Sequence, residues 1–299
     1  MSLPSQIEEA MRTAIRSLAV TLRFEALNSA THQALIVTGW SDNDLTKQAI
    51  AHYLVGLRAC AIDAALNIRA NLADTVEDRV EILQSVLEVI GETNDELTDQ
   101  QSRFKRDERN PWIAEGIWHL CMAIASQRTE IHPMGNIILL DYAHIKAKDH
   151  GLDVAAIYQA SETTGISLIE SKAYKNDPNG AINAAVGFFK DVDKGKHSTR
   201  IRQAIQIMRT ALTTEQNATI SASFWKQNRT YICNPHYHAI HNMDWTNIRT
   251  SFRSLERAPL YIAIMPHSIL DFDRFFDDIA EKMRSFANNL QCMTNTQDN

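Results

Sequence analysis

The sequence predicts a mixed α+β protein, with an α-helical region over residues 1–109 followed by a mixed α/β domain over residues 110–299. Three observations carry that expectation. Glycine is scarce, at 10 of 299 residues, while 44% of the chain is hydrophobic, a composition that favours helices around a substantial core. Apolar residues in the first hundred positions recur at helical spacing. After residue 110, short apolar runs of strand length alternate with helical stretches.

The elements follow in order. Ile7, Met11, Ile15, Leu18 and Leu22 draw one apolar stripe on a first helix. Ser41 to Asp44 supply cap chemistry for a second helix, which the pattern carries to about Leu72 with Ile50, Leu54, Leu57 and Ile68 inward. Asp74 or Thr75 caps a third, with Val76, Val80, Leu83, Leu87 and Ile90 as its stripe. Gly91 to Arg109 is polar and charged, apolar only at Leu97 and Phe104, and reads as an exposed connection. Asn110-Pro111-Trp112 has the cap-then-proline order of a helix start. That helix runs past Glu115, Trp118 and Ile124 until His132-Pro133-Met134-Gly135 breaks it. Ile137–Tyr142, Asp153–Tyr158 and Ile166–Lys172 read as three strands. A helix from Pro178 through Phe189, another capped by Ser198 or Thr199, a strand at Leu260–Ile264 and a helix within Ser268–Leu290 complete the chain.

Composition bounds function as well. Charged residues make up 22% and the formal charge is -6. That balance excludes a largely disordered chain and argues against a free-standing protein that grips duplex DNA by bulk charge, while leaving room for a local basic groove. The four cysteines form no CxxC pair, the first residues lack a secretory leader, and no run approaches the ~18 apolar residues of a membrane span. The expectation is a cytoplasmic protein with reduced thiols and no membrane segment.

The chemistry concentrates in Gly151-Leu152-Asp153 and Glu170-Ser171-Lys172. In a strand, residues i and i+2 share a face, so Glu170 and Lys172 point the same way. A hairpin centred on Ser161 and Glu162 pairs residues whose numbers sum to 323, which sets Asp153 opposite Glu170, with Cβ atoms ~5 Å apart. Two carboxylates that close call for a cation between them, and Mg²⁺ takes one or two carboxylates plus waters and phosphate oxygens. Lys172 then reaches the same point, where it can orient or deprotonate a water or stabilise growing charge. The triplet alone has little weight, since a chain with 36 acids supplies acid-x-Lys by chance. A hairpin carrying a surface ion pair accounts for the same residues.

The order of helix with Glu115, strand from Asp153, strand ending Glu170-Ser171-Lys172, then helix, resembles the PD-(D/E)xK nuclease superfamily. The resemblance implies a restriction-endonuclease-like core, in which a helix, a mixed sheet centred on the β-hairpin, and further helices surround the site. It implies a Mg²⁺-dependent deoxyribonuclease, with Mn²⁺ as a substitute. Asp153 and Glu170 would be metal ligands, Lys172 the catalytic lysine, and Glu115 an auxiliary acid at the metal. Leu152 stands where the superfamily's nominal proline would be. More narrowly, AEGIWHL, GLDVAAIY and LIESKAY resemble the nuclease subunit of Hachiman-type anti-phage defence, over roughly Asn110 to Leu212. Ala114 and Ile169 replace the small residues before the acids there, and Ala173-Tyr174 replaces Phe-Tyr. That likeness implies a superfamily 2 helicase ATPase as partner. The N-terminal helices carry no catalytic constellation and read as a partner-docking or regulatory module. An adaptor that only binds nucleic acid or helicase is the alternative; the presence of all three core residues favours the enzyme.

Other residues hold secondary interest. Lys175, Lys190, Lys194, Lys196, Arg200, Arg202 and Arg209 form the densest basic stretch, with Lys175, Lys196 and Arg200 as candidate DNA contacts; a solvated helix face explains it equally. Cys233, His236, His238 and His241 are residue types that bind zinc, yet their spacing fits no familiar module, and a polar loop or core histidines accounts for them. His119 lies one turn from Glu115, as a partner for that acid or as packing.

Overall fold

The structure, a computed structural model, describes residues 1–40, 43–132, 134–144, 152–161, 163–221 and 223–292. Its helices are α1 (Leu3–Thr21), α2 (Asp44–Arg58), α3 (Val76–Ile90), α4 (Asp99–Phe104), α5 (Asn110–Ala125), α6 (Pro178–Asp193), α7 (Ser198–Arg209), α8 (Thr214–Thr219), α9 (Phe224–Gln227) and α10 (Phe272–Cys292). Its strands are β1 (Arg23–Asn28), β2 (Gln33–Thr38), β3 (Asn136–Leu140), β4 (Val154–Ala160), β5 (Thr163–Ala173), β6 (Arg229–His238), β7 (Ile262–Ile264) and β8 (His267–Ile269). The strands make one mixed sheet in the order β1-β2-β7-β6-β5-β4-β3, with β8 also pairing β6. None of the helices among the described residues is long and apolar enough to cross a membrane.

Helices cover both faces of the sheet, and alternate strand residues feed two cores. Ile137, Val154, Ile169 and Ile232 pack with α1, α2, α3, α5 and α10, while Ile157, Leu168, Tyr231 and Ile264 pack with α6 and α7. Strands β5, β6 and β7 run parallel at the centre, and antiparallel hairpins flank them. The mixed α and β character matches expectation.

Several details depart from it. The first 109 residues are not all helical: β1 and β2 form a hairpin, and β2 joins β7 in parallel through Gln33 and Ala34. β1 is an edge strand whose residues are mostly exposed, so it lacks the apolar alternation that would mark it. Ser41 and Asp42 lie outside the described residues, and the α2 cap is Asn43, whose side chain accepts the Leu45 amide. α2 ends at Arg58 rather than near Leu72, because Cys60 (φ 50°) and Leu66 (φ 67°) turn the chain into the left-handed region. The α3 cap is Thr75 in a capping box with Asp78. Its buried face is Arg79, Ile82, Val86, Val89 and Ile90, rotated from the expected stripe, and Val76 is exposed.

The segment expected as a loose connection is largely helical. α4 runs through a π-helical turn at Lys105–Arg109 directly into α5, so Asn110 sits within a continuous helix rather than capping a new one. Arg109 is fully buried and donates to Asp277 of α10 at 2.6 Å, and Lys105 reaches the same carboxylate at 3.1 Å. Burial without a partner would cost these cations several kcal/mol each, and the pairing explains why so polar a stretch packs against α10. Likewise α7 starts one residue earlier than expected, with His197 at the cap position. The Cys233–His238 stretch is no loop: it belongs to β6, buried on both faces. Odd β6 residues face β7, as the Met265 amide donating to Cys233 O shows. Pro235 therefore turns its missing donor toward the place where β7 hands over to β8, a position that loses no ladder bond.

Candidate metal-binding and active site

The β4–β5 hairpin has the expected register. Val154 pairs with Ile169 and the ladder closes at Ala160 with Thr163, every pair summing to 323. Ser161 takes a left-handed φ of 47° in the turn, while Glu162 and Gly151 lie outside the described residues. Asp153 and Glu170 thus stand opposite each other just beyond the last pair. Asp153 Oδ2 accepts the backbone amide of Ser171 at 2.8 Å, which folds this carboxylate across the end of the hairpin. Lys172 lies between the two acids, its Nζ 3.1 Å from Asp153 Oδ2 and 2.6 Å from Glu170 Oε1.

Glu115 reaches the same place from α5, a helix with almost every other residue buried. Gly116 lets α5 approach α2: a Cβ there would lie 2.2 Å from Leu54 Cδ2. Glu115, His144 and Asp153 each offer a ligand atom, all within 4.8 Å of one another. His144 Nδ1 is 3.2 Å from Glu115 Oε2, and Arg200 of α7 donates to His144 Nε2 at 3.2 Å. The backbone oxygen of His144 accepts the Trp112 indole N–H at 3.0 Å. Glu170 is not one of this trio and meets Asp153 through the Lys172 ammonium that both contact.

The electrostatics are those of crowded acids short of positive charge. Burial, then the Asp153 charge, pushes the Glu115 carboxyl up to about 7, against the pull of His144 and Lys172. The same two causes raise Glu170 well above its ordinary range. Burial disfavours the Lys172 ammonium, but Asp153 and Glu170 outweigh it and hold the proton more tightly than usual. His144 is raised too: burial and Arg200 oppose, and Glu115 and Asp153 prevail. Glu170 Oε2 is buried with no hydrogen-bond partner. An orphaned carboxylate oxygen beside other acids is what a bound cation would satisfy. Carboxylate oxygens suit Mg²⁺ or Mn²⁺, and the imidazole adds a ligand that transition metals accept. The residues present therefore fit a divalent metal at Glu115 and Asp153 as oxygen ligands with His144 beside them, while Glu170 joins them through Lys172.

Sequence reasoning brought together Asp153, Glu170, Lys172 and Glu115, and the structure does the same. It missed His144, which the chain reaches in irregular backbone after β3, a place with no periodicity to read. Of the basic candidates, Arg200 extends to the site, whereas Lys175 pairs with Asp273 and Lys196 with Asp191 on the surface. His119 is no partner of Glu115: its ring bonds Tyr53 Oη and the backbone oxygen of Asp141, both at 2.9 Å. The Cys233/His236/His238/His241 group does not converge as ligands. Cys233 and His236 lie on opposite faces of β6 by their odd spacing. His236 engages Trp118 Nε1 at 2.6 Å and His267 Nδ1 at 3.0 Å.

Comparison of the chain with protein-family models and with curated proteins gives no match.

Proposed function

We propose that this chain is a metal-dependent nuclease that hydrolyses phosphodiester bonds in DNA, built on a restriction-endonuclease-like core. One observation carries the reading: Asp153 and Glu170, facing each other at the end of an antiparallel hairpin, hold Lys172 between them while Glu115 adds a third acid beside Asp153. That grouping is the one expected from the resemblance to PD-(D/E)xK nucleases. A divalent metal bound there would polarise the scissile phosphate and lower the pKa of a water.

The protein's own groups have definable tasks. Asp153, oriented by the Ser171 amide, and Glu170, with its unpaired Oε2, would hold the cation. Lys172 is held protonated by its two acidic neighbours, so it serves as a donor that orients water or a phosphate oxygen rather than as a base. Glu115, whose carboxyl burial and Asp153 leave easily protonated, would give up its proton to serve as a further ligand. Arg200 stands ready at the rim for a phosphate oxygen. The overall charge of -6 fits a nuclease that shares its grip on DNA with a partner, and we place a superfamily 2 helicase ATPase in that role, in an anti-phage complex.

The test is incubation of the purified chain with plasmid and single-stranded DNA and Mg²⁺ or Mn²⁺, with and without a superfamily 2 helicase ATPase. Metal-dependent cutting lost with Asp153→Ala is expected. Absence of cleavage under all these conditions overturns the reading.

A further inference from the structure

A cavity of about 200 Å³ opens directly beside the metal cluster, with His144 as a shared wall. Leu57, Ile62 and Leu140 give it an apolar lining, and Trp112 is fixed against it by the bond from its indole to His144 O. Its volume equals about seven waters at ~30 Å³ each, room for one fused heterocycle and too little for a base pair. Half-exposed Tyr142 lines it as a stacking surface. The polar group is Asp141, whose carboxylate accepts the Tyr142 backbone amide at 3.0 Å through Oδ1. Among the described residues no side chain donates to it, although burial lifts its pKa.

We propose that this cavity receives one unstacked guanine of the substrate strand, whose N1–H and exocyclic amino group donate together to the Asp141 carboxylate. This rests on the nuclease reading and names its substrate: a strand that is single or locally unpaired, cut next to guanine. Guanine is the base with two adjacent donors on its pairing edge. Adenine and cytosine set an acceptor beside their amino group, and thymine sets its one N–H between two carbonyls, so each places an acceptor against the carboxylate. The shared His144 wall puts the sugar-phosphate of a seated nucleotide at the Glu115–Asp153 cluster, within reach of Arg200.

Calorimetric titration of the full chain with the four nucleoside 5′-monophosphates, without any cleavage, tests this. GMP should bind about tenfold or more tightly than AMP, CMP or TMP, the discrimination expected of a bidentate base contact, and IMP, which lacks the amino group, should fall between. Asp141→Asn should erase the preference. Cys60 also lines the cavity and is solvent-exposed. In a Cys292→Ser chain GMP should slow its alkylation by iodoacetamide while CMP does not, and this decides the matter if Asp141→Asn does not fold. Equal affinity for all four nucleotides, or no protection of Cys60, overturns the guanine site even if DNA is cut. A chain that prefers GMP but cuts no DNA keeps the site and loses the nuclease reading.

Discussion

The Trp118 indole of α5 donates its N–H to Nε2 of His236 on β6 at 2.6 Å, in a setting where both residues are fully buried. Trp118 is less than one helical turn from Glu115, so this bond ties the helix carrying one acid to the strand beside the one carrying another. It also sets the imidazole: with Nε2 accepting, Nδ1 carries the proton and faces His267. Trp118→Phe keeps the packing and leaves a buried acceptor unpaired, and should cost about 1–3 kcal/mol. Urea denaturation measures it, and a loss below a few tenths would show the bond to be unimportant.

On the proposed nuclease reading, Lys172 acts as a donor rather than a base, since its acidic neighbours hold its proton. Lys172→Ala should lower cleavage by about a hundredfold or more and, by leaving Asp153 and Glu170 without the ammonium between them, should also destabilise the metal-free fold. Cleavage rates and thermal melts of the same preparation separate the two effects. Full activity in this variant would remove Lys172 from the mechanism.

Metal binding should compete with protons at Glu115. Its folded pKa of about 7 lies above the ordinary 4.5, so without metal this residue favours the folded state most at low pH. That contribution fades as pH rises from 4.5 through 7. A divalent cation reverses the penalty. The rise in Tm produced by Mg²⁺ should therefore grow between about pH 5 and pH 7.5. In Glu115→Gln the growth should flatten, and an unchanged pH profile there would show that another group sets it.

His144 orients Glu115 and is itself held by Arg200. His144→Ala should weaken metal affinity by about 10- to 100-fold, the usual effect of losing a supporting partner or ligand. Arg200→Ala should weaken it less and chiefly raise KM for DNA. Titration with Mn²⁺, read against steady-state kinetics, distinguishes the two variants.

Asp277 neutralises two buried cations, Arg109 and Lys105. Asp277→Asn should destabilise the protein by about 3–5 kcal/mol, the cost of stranding a buried charge. A change under 1 kcal/mol in denaturant titration would mean that Asn94 and Asn110, which also bond Arg109, and Glu96, which pairs with Lys105, suffice without it.

The hairpin was legible in the sequence down to its register, because Ile166, Leu168 and Glu170 share one face and a two-residue turn leaves a single pairing. The α1 stripe was legible because one face of that helix is wet and the other dry. Strand β6 was not, since helices cover both its faces and its buried run, Arg229 to His238, mixes charge, aromatics and a proline without alternation. Two of its buried polar side chains find partners distant in sequence, Asp193 for Arg229 and Trp118 for His236, which no local pattern records. His144 was invisible for a related reason, since its role depends on where α5 and α7 come to rest. The helical turn at Lys105–Arg109 was hidden because charges normally signal exposure, and here Asp277 reverses that rule.

The parallel pairing of β2 with β7 joins Ala34 to Ile264, and this has a consequence for synthesis. At about 5–20 residues per second, β2 leaves the ribosome roughly ten seconds to most of a minute before its neighbour exists. The β4–β5 hairpin, closed by two residues, can form long before that. A nascent chain therefore assembles its acidic hairpin while one edge of β2 is still without its partner, an open edge that invites association with other chains. Arrival of β7 completes the sheet, so truncations that remove the C-terminal 40 residues should yield aggregates rather than a smaller folded protein.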